Sequence, residues 1–327
     1  MISRAAKKSL PWVVTAVALY ITFHSVDFSA LGANLKNAEA EWIGVAILLT
    51  MASYVMRSRR WQFLFPSHSM SLATSARVLI LGFFMNNVLP ARTGEFVRAH
   101  MGAKATGQTR TLVLATIASE RLIDGVTLSI MFIAAAYGMR AHPYSQNLAY
   151  VAYFFVGALA CVGVLLALRE RVFSLIRRIG ARINHRASDY AFDRVQIFIN
   201  GLMPMFTLSR APILCLWSVI IWSIELFVYV AVAKAFGASL TMSMCVLFLA
   251  TVNFSSLIPA APGGIGVIEA FASTVLVSLG LDKEHALAMV IAQHMIQYLV
   301  VGIPGALVLL TWKREVELAK ESQSEAA

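Results

Sequence analysis

The sequence predicts an all-α integral membrane protein with about six full transmembrane helices and two broken, re-entrant segments in an inverted repeat. Three observations carry this expectation. Hydrophobic residues make up 59% of the chain and charged residues 13%, whereas soluble domains hold about 45–50% and about 25%. Apolar stretches of the length that crosses roughly 30 Å of hydrocarbon recur along the chain. Two of these stretches are interrupted by proline and glycine at corresponding places in the two halves. The whole chain, 1–327, reads as one transmembrane domain, with a first repeat at about 42–138 and a second at about 212–312.

The first apolar run, 10–26, follows Arg4, Lys7 and Lys8 and shows no small-x-small cleavage site, so it reads as an uncleaved helix. An outer loop with Asp27, Lys36, Glu39 and Glu41 leads to a second span at 42–56, which returns to Arg57, Arg59 and Arg60. The first broken segment, 71–104, is interrupted by Asn86-Asn87-Val88-Leu89-Pro90-Ala91-Arg92-Thr93-Gly94. Helices are predicted at 111–137 and 148–168. An arginine-rich cytoplasmic loop follows at 169–210, amphipathic through Val172, Leu175, Ile176 and Ile179. A span at 213–236, a second broken segment at 241–279 and a last helix at 285–312 complete the chain, with a frayed polar tail at 313–327.

Charge sets the orientation. Arginine and lysine collect before the first span, after the second, in the loop 169–210 and after the last span, while the opposite loops keep little beyond Lys36, Arg140 and Lys283. Lys/Arg-rich loops face the cytoplasm, so both termini are expected there, in a bacterial cytoplasmic (inner) membrane. The net charge of +10 is thereby assigned to topology and anionic headgroups, and nucleic acid is not an expected partner. Cys161, Cys215 and Cys245 lie in apolar segments without metal-ligand spacing and read as small buried side chains.

The repeat rests on Asn87-Val88-Leu89-Pro90-Ala91-Arg92-Thr93-Gly94 against Ser256-Leu257-Ile258-Pro259-Ala260-Ala261-Pro262-Gly263. Pro90, Gly94, Pro259, Pro262, Gly263 and Gly264 are the predicted helix-breaking residues. Irregular backbone at membrane depth survives only when buried in protein or facing a wet cavity. Three spans separate the breaks, an odd number, so the halves are inverted. Such paired interruptions point to a transporter's substrate site.

Polar residues at bilayer depth supply the candidate site. Glu120, Arg121 and Asp124 fall near the middle of their helix, where an ionised group costs about 2.5–3.5 kcal/mol on insertion scales. Arg121 and Asp124 can pair, which leaves Glu120 over and suggests a charge-lined pocket. Arg92, beside the first break and a helix start, faces any anion there. Glu95 follows it, Asn87 opens the break, and Arg98 reads as a snorkelling cation. Glu225, Glu269, Gln293, His294 and Gln297 suggest a second polar lining. Enzyme chemistry finds no support: Gly264-x-Gly266 lacks the third dinucleotide-binding glycine, and no P-loop, G-x-S-x-G, H-E-x-x-H or C-x-x-C is present. No cofactor and no metal site are expected.

Three motifs in order, Asn86 to Glu95, Glu120-Arg121-Leu122-Ile123-Asp124 and Pro259 to Gly266, resemble the flippase-like transmembrane region of lysylphosphatidylglycerol synthases. Arg59-Arg60-Trp61 is similar too, and the resemblance runs over about residues 10–312. It implies a membrane lipid flippase in which Arg92, Glu95, Glu120, Arg121, Asp124 and Glu269 line the lipid path. The aminoacyl-transferase domain of the best-known members has no counterpart in these residues, so a stand-alone member is expected. The partners implied are membrane lipids (phospholipid, glycolipid, polyprenyl-phosphate or hopanoid lipid), with a separate lipid-modifying enzyme and a homo-oligomer left open. The alternative to transport is a protein that presents lipid to a separate glycosyl- or acyltransferase.

Overall fold

The computed structural model describes residues 4–65, 70–89, 93–138, 157, 159–171, 173–174, 185–258 and 260–325. Its described elements are helical. They are α1 (Arg4–Phe23), α2 (Phe28–Asn37), α3 (Ala40–Phe63), α4 (Leu72–Val88), α5 (Gly94–Thr106), α6 (Arg110–Gly138), α7 (His185–Leu202), α8 (Ala211–Ala235), α9 (Met242–Ser255), α10 (Val267–Ser278) and α11 (Lys283–Glu325). Short 3-10 turns sit at Met203–Phe206 and Pro262–Gly264.

Among the described residues three helices are long and apolar enough to cross a bilayer: α3, α8 and the Lys283–Trp312 part of α11. The number becomes four if α1 and α2, bent by 86° at their junction, form one span. Among the described residues, two others of the expected six full spans do not enter this count. The α6 helix has 29 residues, about 43 Å at 1.5 Å per residue, but it carries Glu120, Arg121 and Asp124 in its middle. The first part of the expected span, 148–156, and residue 158 lie outside the described residues, as do Val172, Leu175, Ile176 and Ile179, while 159–167 is helical.

Two expectations about loops are corrected. The predicted outer loop is largely the helix α2, started by Asp27, whose Oδ1 accepts from the amides of Ser29 (2.8 Å) and Ala30 (3.2 Å). The second span does not end at residue 56: α3 runs on to Phe63, carrying Arg57 and Arg60 inward. At the other end α11 continues through the predicted tail to Glu325, a stretch rich in the strong helix formers Glu, Lys and Ala. Cys161 and Cys215 prove exposed and only Cys245 buried, because the outward face of a membrane helix is apolar for lipid rather than for a core.

Close helix packing positions the site. The chain doubles back after α4, so that α5 runs along it, with Arg98 against Gly82 and Gly94 against Asn86. Gly94 touches the Gly82 carbonyl and Asn86 so tightly that no Cβ fits there. Its amide donates to Asn86 Oδ1 at 2.9 Å, fixing the edge of the first break. On the far side α11, carrying Pro304, meets α4 where Gly305 lies flat on Phe84. The α7 helix lays Phe192, Ile199 and Leu202 on an apolar cluster with Ala115, Leu166 and Phe173. The largest core cluster joins α8, α9, α10 and the first part of α11.

Gly94→Ala is expected to lower stability by about 1–3 kcal/mol through overpacking. Gly44→Ala, whose Cβ meets nothing within 4 Å, is expected to be neutral or slightly stabilising. Thermal unfolding of the two proteins in nanodiscs checks this, and equal melting temperatures would refute the close α4–α5 approach.

Candidate functional site

The centre of the molecule is a buried ionic node on three helices. The α3 helix offers Ser53, Arg57 and Arg60, and α8 offers Ser218, Trp222 and Glu225, in both cases at i, i+4 and i+7, one helical face. Asp124 of α6 sits between them. Its Oδ1 accepts from Arg60 Nη1 at 2.5 Å and Trp222 Nε1 at 3.0 Å. Its Oδ2 accepts from Arg60 Nη2 at 3.0 Å and Arg57 Nη1 at 3.3 Å. Glu225 Oε1 accepts from Ser53 Oγ at 2.7 Å and Arg57 Nη2 at 3.3 Å, while Arg60 Nη1 also reaches Ser218 Oγ at 2.8 Å. The Arg57 guanidinium lies 5.1 Å over the Trp222 ring. Two cations meet two carboxylates, so the node is neutral; Asp124 accepts four bonds and Glu225 Oε1 two, while Arg60 Nε is buried without a partner.

A second pair lies behind it. Arg98 of α5 grips Glu120 of α6 through two bonds, 2.8 and 2.6 Å. The same guanidinium lies 4.1 Å over the Trp61 ring, and Trp61 Nε1 donates to Thr116 at 3.1 Å. Glu120 has 0% exposure and does not border the cavity described next. Arg98, expected at the interface, points inward instead because Gly82 leaves room for its stem.

Between the two helix breaks opens a cavity of about 620 Å³. Its charged walls are Arg57, Asp124 and Glu225 from the node, together with Glu95 and Arg121. Arg121 Nε donates to Glu95 Oε1 at 2.9 Å, and Arg121 lies 5.1 Å over Phe83. Both members of this pair remain about one-third exposed, at 31% and 32%. Arg121 therefore turns to Glu95, and Asp124 goes to the arginines of α3. Uncharged polar groups from Asn86, Asn87, Asn253, Gln293 and Gln297 join the wall, and Leu89, Leu257 and Val301 make its apolar part. Gln297 Oε1 accepts from Tyr54 at 3.1 Å.

The second break closes one side. Gly263 and Gly264 line the cavity with His294, and both glycines have positive φ, 70° and 76°. Tyr298 donates to the Pro262 carbonyl at 3.4 Å. Glu269 does not border the cavity. It stands behind His294, with Oε1 2.6 Å from His294 Nδ1 and Oε2 accepting from the Gly266 amide at 2.6 Å.

Of the residues expected from sequence, Asn87, Glu95, Arg121, Asp124, Glu225, Gly263, Gly264 and His294 meet at the cavity. Glu120, Gly94, Pro262 and Glu269 support it from outside the lining. Pro90, Arg92 and Pro259 lie outside the described residues. Sequence reasoning missed Arg57 and Arg60, reading them as topology cations, and missed Trp222. The usable signal was spacing: Arg57 and Arg60 share a face with Ser53, whereas Arg59 points away to Gln62 and Phe63.

With the geometry in place, relatives can be compared. The family model described as lysylphosphatidylglycerol synthase TM region matches residues 9–305. A UPF0104 membrane protein of Pyrococcus horikoshii is 22% identical over 302 residues, 84% of this chain and 88% of its own. One of Methanocaldococcus jannaschii is 22% identical over 308 residues, covering 88% and 89%. The glycosyltransferase AglD of Haloferax volcanii is 23% identical over 351 residues, 96% of this chain but 55% of its own length. No solved structure matches.

Glu120→Gln leaves the buried Arg98 charge without its counterion and is expected to cost about 3–5 kcal/mol of stability. The double change Arg98→Met with Glu120→Leu is expected to cost less than that single one. Arg121→Gln, at a pair one-third exposed, is expected to cost no more than about 1 kcal/mol. Thermal melts of the three proteins test this; a Glu120→Gln protein as stable as wild type would show that the pair does not hold α5 to α6.

Proposed function

The chain belongs to the family of the lysylphosphatidylglycerol synthase TM region, and from that premise we propose that this multi-pass membrane protein carries lipid between leaflets. The headgroup enters the cavity between the two helix breaks while the acyl or prenyl chains stay in the bilayer. The observation that carries this reading is the composition of the cavity wall, charged and amide groups on one part and Leu89, Leu257 and Val301 on the other. A headgroup in bare hydrocarbon loses its hydration; here fixed donors and acceptors replace water.

The node is suited to remain intact during this task, since its charges are already matched. Arg121 and Glu95 are the exchangeable pair. On headgroup entry Arg121 turns to a phosphate oxygen, which arginine grips well, and Glu95 accepts from an ammonium or hydroxyl. Arg92, beside the same break, is assigned to the same phosphate. Transport follows if the halves containing the breaks are inverted repeats that rock against each other, in an inner membrane with both termini cytoplasmic. Phospholipid, glycolipid, polyprenyl-phosphate and hopanoid lipids all present chemistry that fits.

A second reading is favoured by one finding: the AglD relative, over 55% of whose length this chain aligns, is named a glycosyltransferase. The region then presents a lipid to a separate transferase instead of moving it.

Purified wild-type and Arg121→Gln proteins are to be compared by mass spectrometry of bound lipids and by a flipping assay in liposomes holding the enriched lipid. We expect one lipid class enriched on the wild type and flipping about tenfold slower in the variant, the loss of one charged hydrogen bond. Enrichment without any flipping would favour presentation, and neither enrichment nor flipping would sink both readings.

A further inference from the structure

Both ring nitrogens of His294 face acceptors. Nδ1 lies 2.6 Å from Glu269 Oε1, and Nε2 lies 3.1 Å from the Gly263 carbonyl. A carbonyl oxygen only accepts, so Nε2 must carry a hydrogen. A neutral imidazole then has a bare lone pair at Nδ1, directed at a carboxylate oxygen that also only accepts. Two arrangements resolve this. Either the ring is an imidazolium beside an ionised Glu269, or the ring is neutral and Glu269 is protonated on Oε1. Each holds one proton more than a neutral histidine beside a carboxylate. The other carboxylate oxygen, Oε2, is already committed to the Gly266 amide at 2.6 Å.

We infer that Glu269 and His294 together form a proton-binding site whose occupancy holds the second helix break in the conformation seen here. The coupling is local and mechanical. The proton-bound pair ties α11 to α10 through Glu269, to the first turn of α10 through the Gly266 amide, and to the break itself through the Gly263 carbonyl. Gly263 stands at φ 70°, and Gly266 at φ 84°; Thr15 also holds Ala261 and Ile265, and Tyr298 holds Pro262, so the pair adds the hold on Gly263 and Gly266 themselves. The Gly263 position is so close under the Tyr298 hydroxyl that no Cβ fits, so the turn is seated directly on α11. When the proton leaves, one of two lone-pair contacts is unavoidable, His294 against the Gly263 carbonyl or His294 against the Glu269 carboxylate, and the break is released.

The surroundings carry the proton's path and its competitors. On α11 itself Tyr298 packs against His294, ring centroids 4.9 Å apart. Across the cavity α3 presents Tyr54 and Arg57, α8 presents Glu225 and Tyr229, α5 presents Glu95, and α6 presents Arg121 and Asp124. From α1 the described group at the break is the uncharged Thr15, which accepts from the Ala261 amide at 2.8 Å; α4 brings Asn86 and Asn87, and α9 brings Asn253. Among the described side chains on these elements, Glu269 is the carboxylate in contact with His294. Since His294 borders the cavity, protons reach the pair from the same space that the proposed lipid headgroup enters. The proton site would supply an energy source for that reading, but its geometry does not depend on it.

Hydrogen–deuterium exchange of the segment 256–266 in nanodiscs, followed from acid to alkaline pH and corrected for the intrinsic pH dependence of exchange, tests the inference without any lipid-transport readout. Wild type is expected to be protected at low pH and to exchange roughly tenfold faster at high pH. Glu269→Gln reproduces the proton-bound pattern without a titrating acid, its amide donating to Nδ1 and its carbonyl accepting from Gly266, so it is expected to stay protected throughout. His294→Phe is expected to exchange fast at both ends. A wild-type segment whose corrected exchange does not change with pH would overturn the inference, as would a Glu269→Gln segment that opens as wild type does. Because the wild-type profile needs no variant, a variant that fails to fold leaves the test intact, and a protein that flips no lipid can still pass it.

Discussion

Asp124 accepting from Arg57, Arg60 and Trp222 is the interaction on which the rest of the molecule depends. It draws α3, α6 and α8 to one point, where Arg57, Arg60, Asp124 and Glu225 are almost wholly buried. Pairing, rather than hydrophobic association, is what holds helices in lipid, since the surrounding tails are as apolar as the side chains. Once Asp124 is fixed, α6 must present Glu120 on one side and Arg121 on the other. The first finds Arg98 inside the protein, and the second finds Glu95 at the cavity. An enclosed pair and a pair open to the cavity are thus separated by one residue step along a helix.

The same logic explains why neighbouring carboxylates do different work. Glu120 is enclosed by Trp61, Thr116 and Arg98 and has no opening to the cavity. Glu95 shares its arginine with open space. Exposure, not residue type, distinguishes the two pairs, since only the Glu95–Arg121 pair is in contact with the cavity.

Much of the helical architecture was legible in the sequence. Apolar length gave α3, α8 and α11, and the Pro/Gly interruptions marked the gap between α4 and α5 and the turn before α10. Of the charged triplet on α6, Arg121 and Asp124 border the cavity, while Glu120, the member expected to be left over, is paired with Arg98 away from it. What stayed hidden were partners distant in sequence. Arg57 and Arg60 follow an apolar run, where the positive-inside rule favours a cytoplasmic reading, and only the approach of α8 reveals them as core residues. Arg98 was misread for the same reason, since whether a long cation turns inward depends on the space that Gly82 leaves, and no periodicity reports that. The loop reading of residues 27–41 failed because an Asp27 cap can start a helix after a sharp bend, which apolar content alone does not signal.

The ordering of charges along the chain bears on how the protein is made. Arg57, Arg60 and Arg98 are all synthesised before Glu120 and Asp124. A lone α6 is a poor guest for hydrocarbon, with three ionised groups at its middle, each costing about 2.5–3.5 kcal/mol on insertion scales. When α6 emerges during synthesis, its counterions already wait on α3 and α5, and Glu225 arrives later to complete the charge balance. Paired with arginines that precede it in the chain, α6 carries a smaller electrostatic burden than it would alone, so the helices before it bear part of the cost of its charges.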